Sequence, residues 1–141
     1  MNEPEAPQPV SSTPLTGKVA GVEWTASSAV ASARRAFSDD ASERWVDLGA
    51  GAFDCSDFLP DAELIGTLPW RTGAYSLGLQ RNLTFVVREA DGGITNKVAT
   101  EGRVEFIEAT GPDAGPSIVR IRARFDAENQ VEGQVAISVC D

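Results

Sequence analysis

Cys55 and Cys140 are the two cysteines of this 141-residue chain, and histidine is absent altogether. Histidine is the commonest general base, a usual metal ligand and the side chain that titrates near neutral pH, so three kinds of chemistry lose their usual agent. Two cysteines without histidine make a poor zinc set, and their spacing is unlike the C-x-x-C of a dithiol redox site. Two readings of the pair remain: two separate thiols, or a disulfide tying the C-terminal strand to the middle of the chain. We take the second. Closing a loop of roughly 85 residues would stabilise the fold by up to about 4.5 kcal/mol on chain-entropy grounds.

Other catalytic patterns are thin. A serine or cysteine nucleophile would need a lysine, carboxylate or terminal amine beside it. Neither Lys18 nor Lys97 stands in an S-x-x-K spacing. Asp54, Asp57, Asp61 and Glu63 gather around Cys55, and Asp39, Asp40, Glu43 and Asp47 form a second acidic group. Paired carboxylates can hydrolyse glycosides and oxygen-rich loops can hold Ca²⁺, but neither group has the D-x-D-x-D-G order of a dedicated calcium loop. Solvated loop acids are the plainer reading. Among the aromatics, Trp24 and Trp45 lie in strand-like segments and are expected in the core. Trp70, between Pro69 and Arg71 in a turn, and Tyr75 are the candidates for stacking on a sugar or a partner's side chain, with packing the plainer reading of Trp70. No cofactor or metal is expected. The sequon Asn82-Leu83-Thr84 is taken as pattern only.

These residues must be positioned by strands. In Ser117–Phe125, Val119, Ile121, Ala123 and Phe125 alternate with Arg120, Arg122 and Arg124, and Val131–Val139 alternates in the same way. Such period-two runs joined by a short polar link, Asp126 to Gln130, predict a hairpin with cross-strand pairs between the arginines and Glu132 and Gln134. Leu83, Phe85 and Val87 alternate ahead of the turn Ala90-Asp91-Gly92-Gly93, which leads into a short strand at Ile94–Thr100 and another at Arg103–Ala109. Gly17–Ser28 reads as a strand pair or a bent strand, and Ser28–Phe37 as either a short helix or a strand. Many short strands with turns about every ten residues predict an all-β fold, an antiparallel β-sandwich or else a small antiparallel barrel, with at most one short helix.

The composition is 42% hydrophobic and 23% charged, with a net charge of −9. That is a folded, acidic chain, repelled by phosphate backbones and anionic headgroups, so nucleic acid is not an expected partner. No run of apolar residues approaches a membrane span, so direct insertion is not expected either. Residues 1–16, rich in Pro, Glu, Gln and Ser, predict a flexible tether, and 17–141 a single β domain. The N-terminus lacks a basic, then apolar, signal sequence. Met1 is therefore either a native start or a replacement for a removed leader, and the cysteine pair favours export.

Several segments resemble small bacterial envelope lipoprotein domains of unknown function. Val19-Ala20-Gly21-Val22-Glu23-Trp24-Thr25-Ala26 is similar to their V-x-G-x-x-W-x-A opening, Gly73-Ala74-Tyr75-Ser76-Leu77 to their G-x-Y-x-L segment, and Gly102-Arg103-Val104-Glu105-Phe106 to their G-x-V-x-I strand. The closing hairpin with Phe125, Val131, Glu132 and Gly133 resembles their last strands. The resemblance covers residues 17–141 and implies an antiparallel sandwich on a lipid-anchored stalk, in the periplasm or at the outer surface, with no catalytic residues to carry over. Two features depart from it: there is no lipobox cysteine, and the Cys55/Cys140 pair is not general to the pattern. The expectation is a monomeric, non-enzymatic accessory or binding module of the cell envelope, with a protein or glycan partner. The rivals are a carboxylate-dependent hydrolase acting on glycans and a Ca²⁺-stabilised adhesion domain.

Overall fold

The structure, a computed structural model, describes residues 8–33, 42–57 and 60–140. It contains β1 (Thr16–Val19), β2 (Val22–Thr25), β3 (Ser28–Ser32), β4 (Glu43–Gly49), β5 (Leu64–Pro69), β6 (Gly73–Ser76), β7 (Leu83–Arg88), β8 (Ile94–Ala99), β9 (Glu101–Glu108), β10 (Ser117–Asp126) and β11 (Asn129–Cys140). No α-helix occurs among the described residues. The segment from Ser28 is thus a strand, with Ala29 and Ala31 in the core; its continuation, 34–37, lies outside the described residues.

The fold is all-β, and its barrel-like form describes it best. The strands join in one sheet, in the order β6-β9-β10-β11-β3-β4-β5-β7-β8, with β1 added to β11 and β2 to β1. This sheet curls into a half-barrel because β11 belongs to both halves. It pairs with β10 from Asn129 to Ile137 and with β1 at Gln130–Glu132, and its last residues, Ser138–Cys140, pair with β3. The β11–β3 pairing is parallel, whereas the remaining strand ladders are antiparallel. One hydrophobic cluster fills the curl: Val104, Phe106, Val119 and Ile121 from one half meet Leu48, Leu64, Leu83 and Phe85 from the other. Burying one such side chain is worth about 1.5–3 kcal/mol, so this shared core is what closes the curl.

The two expected hairpins are present. β10 and β11 turn through Ala127 and Glu128, a shorter link than the sequence suggested, because Asp126 Oδ1 accepts the Glu128 N–H and the Asn129 side-chain N–H, both at 3.0 Å. Arg120 Nε donates to Gln134 Oε1 and Arg122 Nε to Glu132 Oε1, each at 3.0 Å, as the cross-strand pattern required. Phe125 ends the inward row of β10 at the rim, half exposed, with the Lys97 ammonium 5.3 Å from its ring centre.

The tether needs correction where it is described. Val10 is 3% exposed and Leu15 1%, so ordered packing begins well before residue 17. Residues 8–13 form a strap across the outer face of β9, β10 and β11. Arg122 donates to the Gln8 and Pro9 carbonyls at 3.1 and 2.9 Å, Glu105 accepts the Val10 N–H at 3.3 Å, and Glu132 accepts the Ser11 N–H at 2.9 Å. Burial opposes ionisation of Glu105, but hydrogen bonds from Arg103 and Val10 N–H outweigh it and hold the carboxyl below the ordinary glutamate value. The hydrogen bond from Arg122, partly offset by burial and helped by Ser11 N–H, does the same for Glu132.

Both groups ionise more readily in the folded chain than at their ordinary value of 4.5. Their contribution is therefore complete above that value and is lost as pH falls through the lower folded values. Amide exchange at Val10 and Ser11 should be slowed at about pH 7, and that protection, corrected for intrinsic rates, should fall away as acid takes both carboxyls through their lowered folded values. Undiminished protection in acid would disprove the carboxylate clamp.

Candidate functional site

Cys55, in the β4–β5 loop, and Cys140, at the end of β11, form a disulfide with their α-carbons 5.5 Å apart. The bond fastens the strand shared by both halves to the loop beside β4. Cys55 sits in a tight acidic turn: Asp57 Oδ2 accepts the Asp54 N–H at 2.8 Å and Asp54 Oδ1 accepts the Ser56 N–H at 2.8 Å. The Ser56 hydroxyl, which also donates to Asp54 Oδ1, and then the Ser56 N–H lower the Asp54 pKa. The first acidic group is thus divided, with Asp54 and Asp57 capping their own turn while Asp61 pairs with Arg88. Among the described residues, no three acidic or cysteine side chains converge as a metal would require. In the second group, Asp39 and Asp40 lie outside the described residues, and Asp47 Oδ1 accepts the Trp45 indole N–H at 3.2 Å. Trp45, expected in the core, is half-buried on the outer face instead, because Val46 and Leu48 take the inward positions of β4.

The two expected stacking residues are near each other but serve the core. Trp70 is 9% exposed. Its indole N–H donates to the Thr110 carbonyl at 3.0 Å and Ser117 Oγ at 3.2 Å, and its ring meets Phe106 edge-on, 4.9 Å between centres. The turn after β5 carries the chain from one half of the sheet to the other, and this places the indole over the core. Tyr75, on β6, stacks on Phe106 at 6.2 Å, with the Arg81 guanidinium 4.7 Å from its ring centre. Its hydroxyl is buried without a hydrogen-bond partner among the described residues. Burial pushes its pKa upward, against the pull of Arg81 and Arg71, so the phenol stays protonated. Beside it lies a polar cleft of about 790 Å³ lined by Glu43, Thr67, Ser76, Gln80 and Arg81 among others.

A second groove has a different make-up. The β1–β2 hairpin turns at Ala20 and Gly21, with φ of 54° and 75°. Its tip is held by the β10–β11 turn, as Asn129 Oδ1 accepts the Ala20 N–H at 2.8 Å and the Glu128 carbonyl accepts the Gly21 N–H at 2.9 Å. β2 pairs only with β1 among the described strands. Between this hairpin and a wall made by the β4–β5 loop and β7 runs a groove of about 600 Å³, lined by Val22, Trp24, Phe53, Glu63, Val86 and Arg88 among others. Glu63 is fixed within it: its Oε1 accepts both the Trp24 indole N–H at 2.9 Å and the Ala50 N–H at 2.8 Å. Neither bond involves Oε2. Arg88 and Asp61 form an ion pair at the rim, their side chains 50% and 80% exposed; such a pair is worth little to stability. Apolar and aromatic walls around one fixed charge are the composition that binding sites share.

Sequence reasoning placed Trp24 in the core and Glu63 in an acidic cluster, and did not join them. A buried indole seeks an acceptor, and that was the available signal. No protein-family model, curated protein or solved structure matches this chain.

Proposed function

We propose that this chain is a non-catalytic binding or accessory module of the bacterial cell envelope, the mature part of an exported protein working in the periplasm or at the outer surface. The observation that carries this reading is the Cys55–Cys140 disulfide. Disulfides persist in oxidising compartments and are rare in the cytosol. The groove beside Trp24 supports the binding part of the reading, and a net charge of −9 disfavours nucleic acid and anionic lipid as partners.

The test is fractionation of the native host, followed by alkylation of free thiols under denaturing, non-reducing conditions. The chain is expected in an extracytoplasmic fraction with no free thiol. Recovery from the cytosol with both thiols reduced would overturn the reading. Incubation with cell-wall glycans should reveal no turnover, and release of a cleaved product would contradict the non-catalytic part.

A further inference from the structure

Three features meet at the hairpin groove. β2 has one edge without a partner strand among the described residues. Val22, 67% exposed, and Trp24 face the groove from that strand, and Phe53 and Val86 complete the apolar wall. Three carboxylates, Glu23, Asp61 and Glu63, line the groove against one cation, Arg88. A bare strand edge offers backbone donors and acceptors to another extended chain, and alternate side chains of an added strand point to one face. Those on this face would enter a groove that is apolar along its sides and negative at Glu63.

We propose that the free edge of β2 accepts an extended segment of a partner polypeptide by strand addition, with a lysine side chain of that segment seated in the groove and its ammonium on Glu63. This names the ligand class for the binding function proposed above, and rests on that reading. The choice of lysine over arginine follows from the hydrogen bonds already made. A guanidinium prefers both carboxylate oxygens in a bidentate fork. Glu63 Oε1 is already occupied by Trp24 and Ala50, which leaves Oε2 for a single-point contact. A compact ammonium on an apolar stem suits that arrangement, with the stem lying along Val22 and Val86.

The test titrates the whole chain with acetyl-Thr-Val-Thr-Lys-Thr-Val-Thr-amide and follows the Trp24 indole N–H and the β2 amides by NMR. Saturable shifts confined to β2, Trp24 and the facing wall are expected. Replacing the central lysine by norleucine or arginine should weaken binding by about tenfold or more, and n-butylammonium alone should bind far more weakly than the peptide. Glu63→Gln retains an oxygen for Trp24 and Ala50 and should abolish the preference for lysine over norleucine. Val22→Lys, at an exposed position, should block the peptide by placing a cation of its own in the groove.

Equal affinity for the norleucine peptide, undiminished lysine preference in Glu63→Gln, or n-butylammonium binding as tightly as the peptide would each overturn the proposal. So would shifts centred on Tyr75 and Arg81 instead. Absence of peptide binding, alongside binding of a cell-wall glycan, would end this inference and leave the binding-module reading intact.

Discussion

Reduction of the Cys55–Cys140 bond is expected to lower the unfolding free energy by about 2–5 kcal/mol. The bond closes a loop spanning 85 residues, and its main effect is to remove conformations from the unfolded chain. It also has a local role that an average crosslink lacks. The last residues of β11 pair with β3 along three residues only, Ser138, Val139 and Cys140, in a parallel ladder. Without the bond, this short ladder and the shared core, against which Val139 packs, must hold the seam between the halves. Urea unfolding of the oxidised and reduced chains, and of the double variant Cys55→Ser, Cys140→Ser, measures the difference. Equal midpoints and slopes would show that the crosslink is incidental to the fold. Frayed amides at Ser138–Cys140 in the reduced form, with β10 still protected, would place the loss at the seam.

Gly133→Ala should cost a comparable amount, about 3–5 kcal/mol, through backbone strain and a steric clash together. Gly133 has φ of 146°, a region L-residues rarely enter. A β-carbon there would also lie 2.5 Å from the Pro14 carbonyl oxygen and 2.6 Å from the Leu15 α-carbon. Both neighbours are backbone, so no rotamer can relieve the contact. The chain would have to lift Thr13–Leu15 from β11, losing the hydrogen bonds between Gln134 and this segment at 2.7 and 3.0 Å and withdrawing Leu15 from the core. Denaturant unfolding gives the magnitude. Faster amide exchange at Val10, Ser11 and Leu15 would confirm where the loss begins, and a stability change under about 1 kcal/mol would refute the argument.

What could be read from the sequence was whatever is encoded by near neighbours. The β10–β11 alternation announced its own hairpin, inward row and cross-strand pairs, and the Ala90–Gly93 turn announced β7 and β8. The disulfide was a choice between two readings that composition favoured and distance along the chain left open. For Trp70 the choice between packing and ligand contact stayed open because Pro69, Arg71 and Gly73 describe a turn without saying what the turn lies against. The strap was missed for a related reason. Proline- and serine-rich composition marks a segment with little apolar surface, but Val10 and Ser11 are held by carboxylates 95 and 121 residues away. The Trp24–Glu63 contact spans 39 residues and has no local signature. In each case the missing information was which distant partner the curl brings near.

The placement of β11 also bears on how quickly this molecule can assemble. β1 and β3 come early in the chain, and both wait for the last strand, through registers such as Gly17 with Val131 and Ala31 with Val139. Topologies dominated by such far-apart pairings must lose chain entropy before any contact rewards it, and they fold in milliseconds to seconds instead of microseconds. The nascent chain therefore lingers open for a time that a helical bundle of this size would not. A crosslink formed early between Cys55 and Cys140 would shorten that search by delivering β11 to its docking place beside β3.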